Sequence, residues 1–392
     1  MNEIVLRLGL VSLFNDISTE MLYPITPIFL TAVLGASMTS VGVIEGFSEF
    51  IASFLKMYFG RWSDVSKRRK PFVIAGYSLS TFARPMIGLA QAWPFVLLAR
   101  AIDRVGKSVR SAPRDALLAD SVDRRSLGAA LGWHRGLDSL GAVLGPLAAV
   151  ALLSRYADKN TDHLRSIYFW AAIPAIIAVL LVFSVREPKS ARQVDNRARE
   201  TADDNPTNAR LPREFYKYLF AWGVFSIVNS SDAFLLLKMR SAGLSLTMVI
   251  LLYGFYNLFY SVTSPWLGHI SDRNGRKKIM SVGWLLFSFV YFGFSRATSL
   301  YQFAGLLAVY GTYMGATDGV GKAWAIDLVP HEIKATAVGV LGTVIGLCAM
   351  FASFTAGMIW DHFGATGPFI YGGVGGLVGV SMLLFVRSPD RI

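Results

Sequence analysis

Twelve apolar segments, each long enough to cross a bilayer, follow one another along the chain. They lie near residues 5–34, 39–59, 71–91, 93–117, 126–154, 165–185, 214–238, 244–267, 279–296, 299–324, 335–359 and 366–387. A span needs roughly 20 mainly apolar residues, and in lipid only helices or closed barrels satisfy their own backbone. Runs of this length predict helices, so the fold class is an all-α integral membrane protein whose solvent is the lipid bilayer. Of 392 residues, 53% are hydrophobic and 16% charged, against roughly 25% charged in a soluble domain. The net charge of +12 would suit nucleic acid, but the Lys and Arg residues gather in alternate loops and in the tails. That is the positive-inside bias. It predicts a multi-pass protein of a bacterial inner (cytoplasmic) membrane with both termini in the cytoplasm, and it argues against a nucleic-acid partner. The first apolar run is long enough to span and is followed by others, so it reads as a span rather than a cleavable signal. The one cysteine, Cys348, lies inside a span, which predicts a buried structural thiol and no disulfide framework.

The chain is duplicated. Gly60-Arg-Trp-Ser-Asp64-Val-Ser-Lys67-Arg68-Arg69-Lys70 returns 208 residues later as Gly268-His-Ile-Ser-Asp272-Arg273-Asn-Gly275-Arg276-Lys277-Lys278. At the same offset Gly35-Ala-Ser-Met-Thr matches Gly243-Leu-Ser-Leu-Thr, and at 207 Asp120-Ser-Val122 matches Asp327-Leu-Val329. The polar stretch 186–213 separates the copies. The predicted organisation is a six-helix bundle over 1–185, a cytoplasmic linker over 186–213 and a second six-helix bundle over 214–392.

Charges inside spans mark candidate sites, because each one facing lipid costs roughly 2.5–3.5 kcal/mol. Span 4 carries Arg100, Asp103, Arg104, Lys107, Arg110 and Arg114 along one helical stripe. Arg114 belongs with the cytoplasmic extension of that helix, and Arg110 is open between extension and interior. Span 1 supplies Asn15, Asp16, Glu20 and Tyr23, span 2 Glu45 and Glu49, and span 5 His134, Arg135 and Asp138. Span 3 adds Arg84. The second half is leaner in charge and richer in aromatic and amide groups: Asn229, Asp232, Tyr253, Tyr256, Asn257, Tyr310, Tyr313 and Asp318. This asymmetry predicts ionic, proton-carrying work in the first half, since acids held away from water bind protons more readily. It predicts a substrate pocket shaped by the second. Structural ion pairing accounts equally well for any one of these charges. His134 and Asp138, at i and i+4, read as a hydrogen-bonded pair rather than metal ligands, and no metal set or cofactor is predicted.

The Gly-x-x-x-Asp-Arg-x-Gly-Arg-Arg/Lys loops, the twelve spans and the central linker resemble the major facilitator superfamily of transporters over the whole chain. The second loop matches through Gly268, Asp272, Arg273, Gly275, Arg276 and Lys277. The first keeps Gly60, Asp64 and Arg69, with Val65 and Lys67 in place of the usual Arg and Gly. The resemblance implies that these loops are gates. It implies a substrate site near the midplane between two repeats, and it gives Arg100 the place of a span-4 arginine linked to proton transfer. Gly141-Ala-Val-Leu-Gly145-Pro146 in span 5 is similar to the antiporter signature of drug and metabolite exporters, with Ala149 and Val150 in place of its trailing glycines. Glu20-Met-Leu-Tyr-Pro24 and Pro113-Arg-Asp-Ala-Leu117 resemble bacterial exporters of iron–citrate and similar metabolites.

The expected function is therefore secondary active transport by a monomer, most simply proton-coupled antiport that exports a small anionic or amphipathic solute. Arg100, Arg104, Lys107 and Arg135 would suit a carboxylate, which guanidinium groups bind in bidentate fashion. Proton-coupled import on the same fold is the alternative. No phosphate-binding loop is present, so the proton gradient is the expected energy source. A receptor has no motif in its favour, and neither has an intramembrane enzyme. His331-Glu332-Ile-Lys334-Ala335 breaks a zinc-protease pattern, and Gly46-Phe-Ser48-Glu-Phe50 lacks the second glycine of a nucleophile elbow.

Overall fold

The computed structural model describes residues 3–66, 68–122, 127–155, 163–185, 211–330 and 333–386. The central linker therefore lies, but for its last residues, outside the described residues, as do Lys67 and the side chains of Asp64 and Arg135. The described chain is helical, as the apolar runs require. The helices are α1 (Glu3–Leu22), α2 (Thr26–Ala32), α3 (Met38–Ser66), α4 (Lys70–Leu89), α5 (Trp93–Asp120), α6 (Leu127–Leu153) and α7 (His163–Ser184). After the linker come α8 (Arg213–Ser226), α9 (Ala233–Ser241), α10 (Leu246–Asn274), α11 (Arg276–Arg296), α12 (Leu300–Asp327), α13 (Lys334–Phe363) and α14 (Gly367–Leu384).

Two predicted spans are each broken into two helices. In the first, Pro24 and Pro27 follow α1; proline offers no backbone N–H and clashes with the preceding turn, and the chain re-enters helix at Thr26. In the seventh, Val228-Asn-Ser-Ser-Asp232 separates α8 from α9. Short hydroxyl and amide side chains compete with backbone bonding there, and the Ser231 hydroxyl accepts the Ala233 N–H at 3.3 Å. Among the described residues seven helices are long and apolar enough to cross a membrane by length and composition: α3, α6, α7, α10, α11, α13 and α14. The other predicted spans are the two broken ones and those with polar or charged residues along their length.

The repeated Gly-x-Ser-x-Thr motif is a turn that stops one helix and starts the next. Gly35 and Gly243 sit at φ +62° and +89°, the left-handed region that a side chain disfavours. Two residues on, the Ser37 hydroxyl accepts the Ser40 N–H at 3.1 Å, and Ser245 accepts that of Met248 at 3.2 Å. Each serine caps the first turn of a long helix.

The chain forms two compact units. The first holds residues 1–23 and 51–208, the second 24–50 and 209–392. In the first, α1 packs on α6 and α7, and α4 on α5 and α7. The second repeats the scheme, with α8 on α13 and α14 and α11 on α12 and α14. Residues 24–50 group with the second unit because α2 packs on α9 and because glycines let the start of α3 lie directly on α13. A Cβ at Gly46 would come within 2.7 Å of the Met350 carbonyl oxygen, and one at Gly42 would overlap the Ser353 carbonyl. Cys348, on α13, is half-buried rather than buried.

Candidate functional site

The two signature loops build the same clasp twice. Arg69 donates to the Asp120 carboxylate at the end of α5, and Arg276 donates to Asp327 at the end of α12 at 3.1 Å. Lys70 donates to the Phe183 carbonyl at 2.8 Å, and Lys277 to those of Leu384 and Val386 at 2.7 Å each. A cation placed against the unsatisfied carbonyls that end a helix is favourable. Each loop therefore ties the helix that follows it to two others: α4 to α5 and α7 in the first unit, α11 to α12 and α14 in the second. Arg276 also pairs with Asp272 at 2.5 Å and donates to the Ser271 hydroxyl. Gly60 lies close to Ala112 of α5, Gly268 faces open space, and Arg273 is exposed. Asp120 and Asp327 were absent from the predicted gate. The Asp120/Asp327 match at an offset of 207 was the signal for the acids.

The first unit holds a polar network across α1, α4, α5 and α6. Arg84, 3% exposed, donates to the Asn15 amide oxygen at 2.7 Å and the Thr19 hydroxyl at 3.0 Å. The Asn15 amide in turn donates to Asp16 at 3.0 Å. Asp138 of α6 is a charged neighbour of Asp16, and it faces His134 Nδ1 at 3.5 Å. The glycines of the Gly141–Gly145 motif make this proximity possible. A Cβ at Gly141 would come within 2.9 Å of the Asp16 Cβ, and one at Gly145 within 2.7 Å of the Glu20 Cβ. The motif seats α6 on α1 at the two acids predicted for coupling.

On α5, Arg100 and Arg104 are buried and Asp103 lies 3.9 Å from Arg104 Nε. Arg110 is buried against α4. Its guanidinium bonds the Ser80 hydroxyl at 2.5 Å and lies over the Tyr77 ring at 4.6 Å. Close packing of α5 on α4 at Gly76 and Gly106 brings it there. Arg114 also reaches inward, to Ser12 of α1 at 3.2 Å. Lys107 is exposed on α5 and Glu49 on α3. Arg84 Nη1 and Arg104 Nε are buried without a hydrogen-bond partner, so the unit retains donor capacity for an anionic group. Tyr77 was missing from the predicted site, and the partners of Arg84 and Arg110 depend on helix pairing, which one sequence does not give.

In the second unit the break between α8 and α9 collects most of the predicted pocket residues. Asp232 accepts hydroxyl bonds from Tyr310 at 2.6 Å and Tyr256 at 3.2 Å. Asn229 donates to the Tyr313 hydroxyl at 3.3 Å. Tyr253 stacks obliquely on Tyr256 at 5.8 Å. Phe287 and Tyr291 extend the aromatic cluster. Two predicted members differ. Asn257 spends its amide on the Tyr253 carbonyl one turn back, and Asp318 is held by Lys322 at 2.6 Å and Tyr260 at 3.0 Å. Glu45 belongs with this unit: it is buried and accepts from Ser231 at 3.3 Å. Tyr23 is half-buried at the end of the first helix. No cluster of three or more metal-ligating side chains occurs among the described residues.

The family model for the Major Facilitator Superfamily matches residues 8–240 and 218–392. An uncharacterized MFS-type transporter of Methanocaldococcus jannaschii is 31% identical over 97% of this chain and 94% of its own. This chain is a member of the major facilitator superfamily. The multidrug resistance protein MdtG of Salmonella paratyphi C is 25% identical over 76% of this chain and 73% of its own. The solved structure of the nucleoside transporter NupG (D323A mutant) covers 97% of this chain and 99% of its own, with a TM-score of 0.81 at 12% identity. The protein is accordingly a multi-pass membrane transporter of small solutes and not an enzyme.

For this transporter the paired clasps give a bounded expectation. Asp327 is 43% exposed, and exposed ion pairs are worth about 0.2–1 kcal/mol. Asp327→Asn is expected to change the initial transport rate by no more than about fivefold. The exchange Arg276→Asp with Asp327→Arg is expected to recover part of the loss, measured as solute uptake into vesicles.

Proposed function

We propose that this transporter is a proton-coupled antiporter, acting as a monomer in the inner (cytoplasmic) membrane with both termini in the cytoplasm, that exports a small anionic or amphipathic solute. The observation that carries the reading is the seating of α6, which bears Asp138, on α1 at Asp16, a packing that Gly141 allows. Carboxylates inside a span are costly there and mark proton pathways. Such a carboxylate is the minimum equipment for loading and releasing one proton per cycle. The buried donors of Arg84 and Arg104 support an anionic group on the substrate, such as a carboxylate or a metal–carboxylate chelate. Export is supported by the Gly141–Gly145–Pro146 motif and by the likeness to a multidrug resistance protein. The proton gradient supplies the energy.

The test is proton movement in proteoliposomes with an entrapped pH dye and a panel of citrate, iron–citrate, amino acids and cationic dyes. A solute that drives protons opposite to itself is the expected result. Movement in the same direction would make the protein a symporter. No proton movement with any solute would overturn the coupling and the carboxylate preference together.

A further inference from the structure

The broken seventh span gathers groups of one sign. Asp232 ends the break, held by the Tyr256 and Tyr310 hydroxyls, and makes no ion pair among the described residues. Glu45 of α3 reaches the neighbouring Ser231 and is the charged neighbour of Asp232. One turn along α3, on the same face as Glu45, the Ser48 hydroxyl is 2% exposed and has no hydrogen-bond partner. Tyr256 lies 5.4 Å from Tyr310, and Tyr310 lies 5.2 Å from Tyr313.

Each part favours a positive guest. A carboxylate taken out of water favours a partner of opposite charge, and Asp232 has only hydroxyl partners among the described residues. Aromatic faces attract cations, and more strongly where water is excluded. At the break the negative, C-terminal end of α8 offers carbonyls of the kind that coordinate cations in transporters, while Asp232 sits at the positive, N-terminal end of α9. Ser48 adds an unspent hydroxyl able to accept an N–H.

We propose that the α8–α9 break, with Glu45 and Ser48 of α3, binds a cationic nitrogen: the ammonium group of an organic amine. The inference rests on the transporter reading above and narrows the solute to one that carries an amine, whether or not it also carries an acid.

The test is calorimetric binding to the purified full-length protein with three probes on one indole skeleton: tryptamine, the neutral alcohol tryptophol and the acid indole-3-propionate. Tryptamine is expected to bind at least about tenfold more tightly than tryptophol. Asp232→Asn, which keeps the side-chain shape, is expected to erase that preference. The Tyr256→Phe/Tyr310→Phe pair is expected to weaken it, and Glu214→Gln, on the exposed start of α8, to leave it intact. Equal binding of tryptamine and tryptophol would overturn the proposal. A preference that survives both sets of variants would overturn it too, as would no binding at millimolar concentration. Failure here is separable from failure of the antiport reading: the first appears in binding, the second in proton movement with binding retained.

Discussion

Asp16→Asn is expected to reduce solute-driven proton movement by on the order of a hundredfold or more, the usual penalty for deleting a proton-transferring group. Exchange of labelled for unlabelled solute is expected to persist. Asparagine keeps the size of the side chain and one acceptor, so the bond from the Asn15 amide survives while the protonation cycle does not. Gly141 admits nothing larger near the Asp16 Cβ, which makes the isosteric change the informative one. Exchange separates coupling from scaffolding. An acid that merely ties α1 to its neighbours would, once neutralised, lower exchange, folded yield and proton movement together. Loss of proton movement alone identifies a carrier. Full proton movement in the Asp16→Asn protein would remove Asp16 from the coupling path and move the burden to Asp103 or Asp138. Arg84→Met offers a graded companion: it removes the donor that orients Asn15 without touching Asp16 itself.

The spans and the duplication were legible in the chain because hydropathy and repeats are one-dimensional signals. The match of Gly35-Ala-Ser with Gly243-Leu-Ser was legible as part of the repeat, and the structure shows that each copy is a capped turn. The clasp aspartates were half legible: the match of Asp120 with Asp327 announced a shared role, but only the folded loops show Arg69 and Arg276 as partners. Neighbours set by helix crossing were not legible. Arg110 stays open between extension and interior in the sequence; only the contact of α4 with α5 at Gly76 and Gly106 gives it Ser80 and Tyr77 as partners. Glu45 reads as a partner for first-half cations until the start of α3 is seen with the second unit, beside Ser231. The seventh-span break lacks a proline, so the apolar run looks continuous although Asn229-Ser-Ser-Asp232 interrupts it.

Gly42→Val is expected to open the seam between α3 and α13 and to slow transport. In the second unit these helices touch backbone to backbone. The space of a Cβ at Gly42 is taken by the Ser353 carbonyl, that at Gly46 lies 2.8 Å from the Met350 Cα, and that at Gly357 lies 2.7 Å from the Thr39 Cα. The Asp361 carboxylate closes the end of the seam. It accepts the N–H groups of Met38 at 3.0 Å and Thr39 at 2.8 Å and the Thr39 hydroxyl at 2.6 Å, capping α3 from another helix. Backbone cannot swing aside as a side-chain tip does, so valine at 42 would carry an overpacking cost of about 1–3 kcal/mol. That cost falls only on the arrangement in which the seam is shut, which corresponds to a roughly 5- to 150-fold shift against it. A carrier that must pass through that arrangement each cycle slows accordingly. The readout is maleimide labelling of Ser353→Cys, a position 2% exposed, in a Cys348→Ser background that leaves no other thiol. Labelling is expected to rise about fivefold or more with Gly42→Val and less with Asp361→Asn, since a cap is worth about 0.5–2 kcal/mol. Unchanged labelling and unchanged transport in Gly42→Val would show that the seam tolerates the methyl groups, and that its glycines serve assembly rather than the transport cycle.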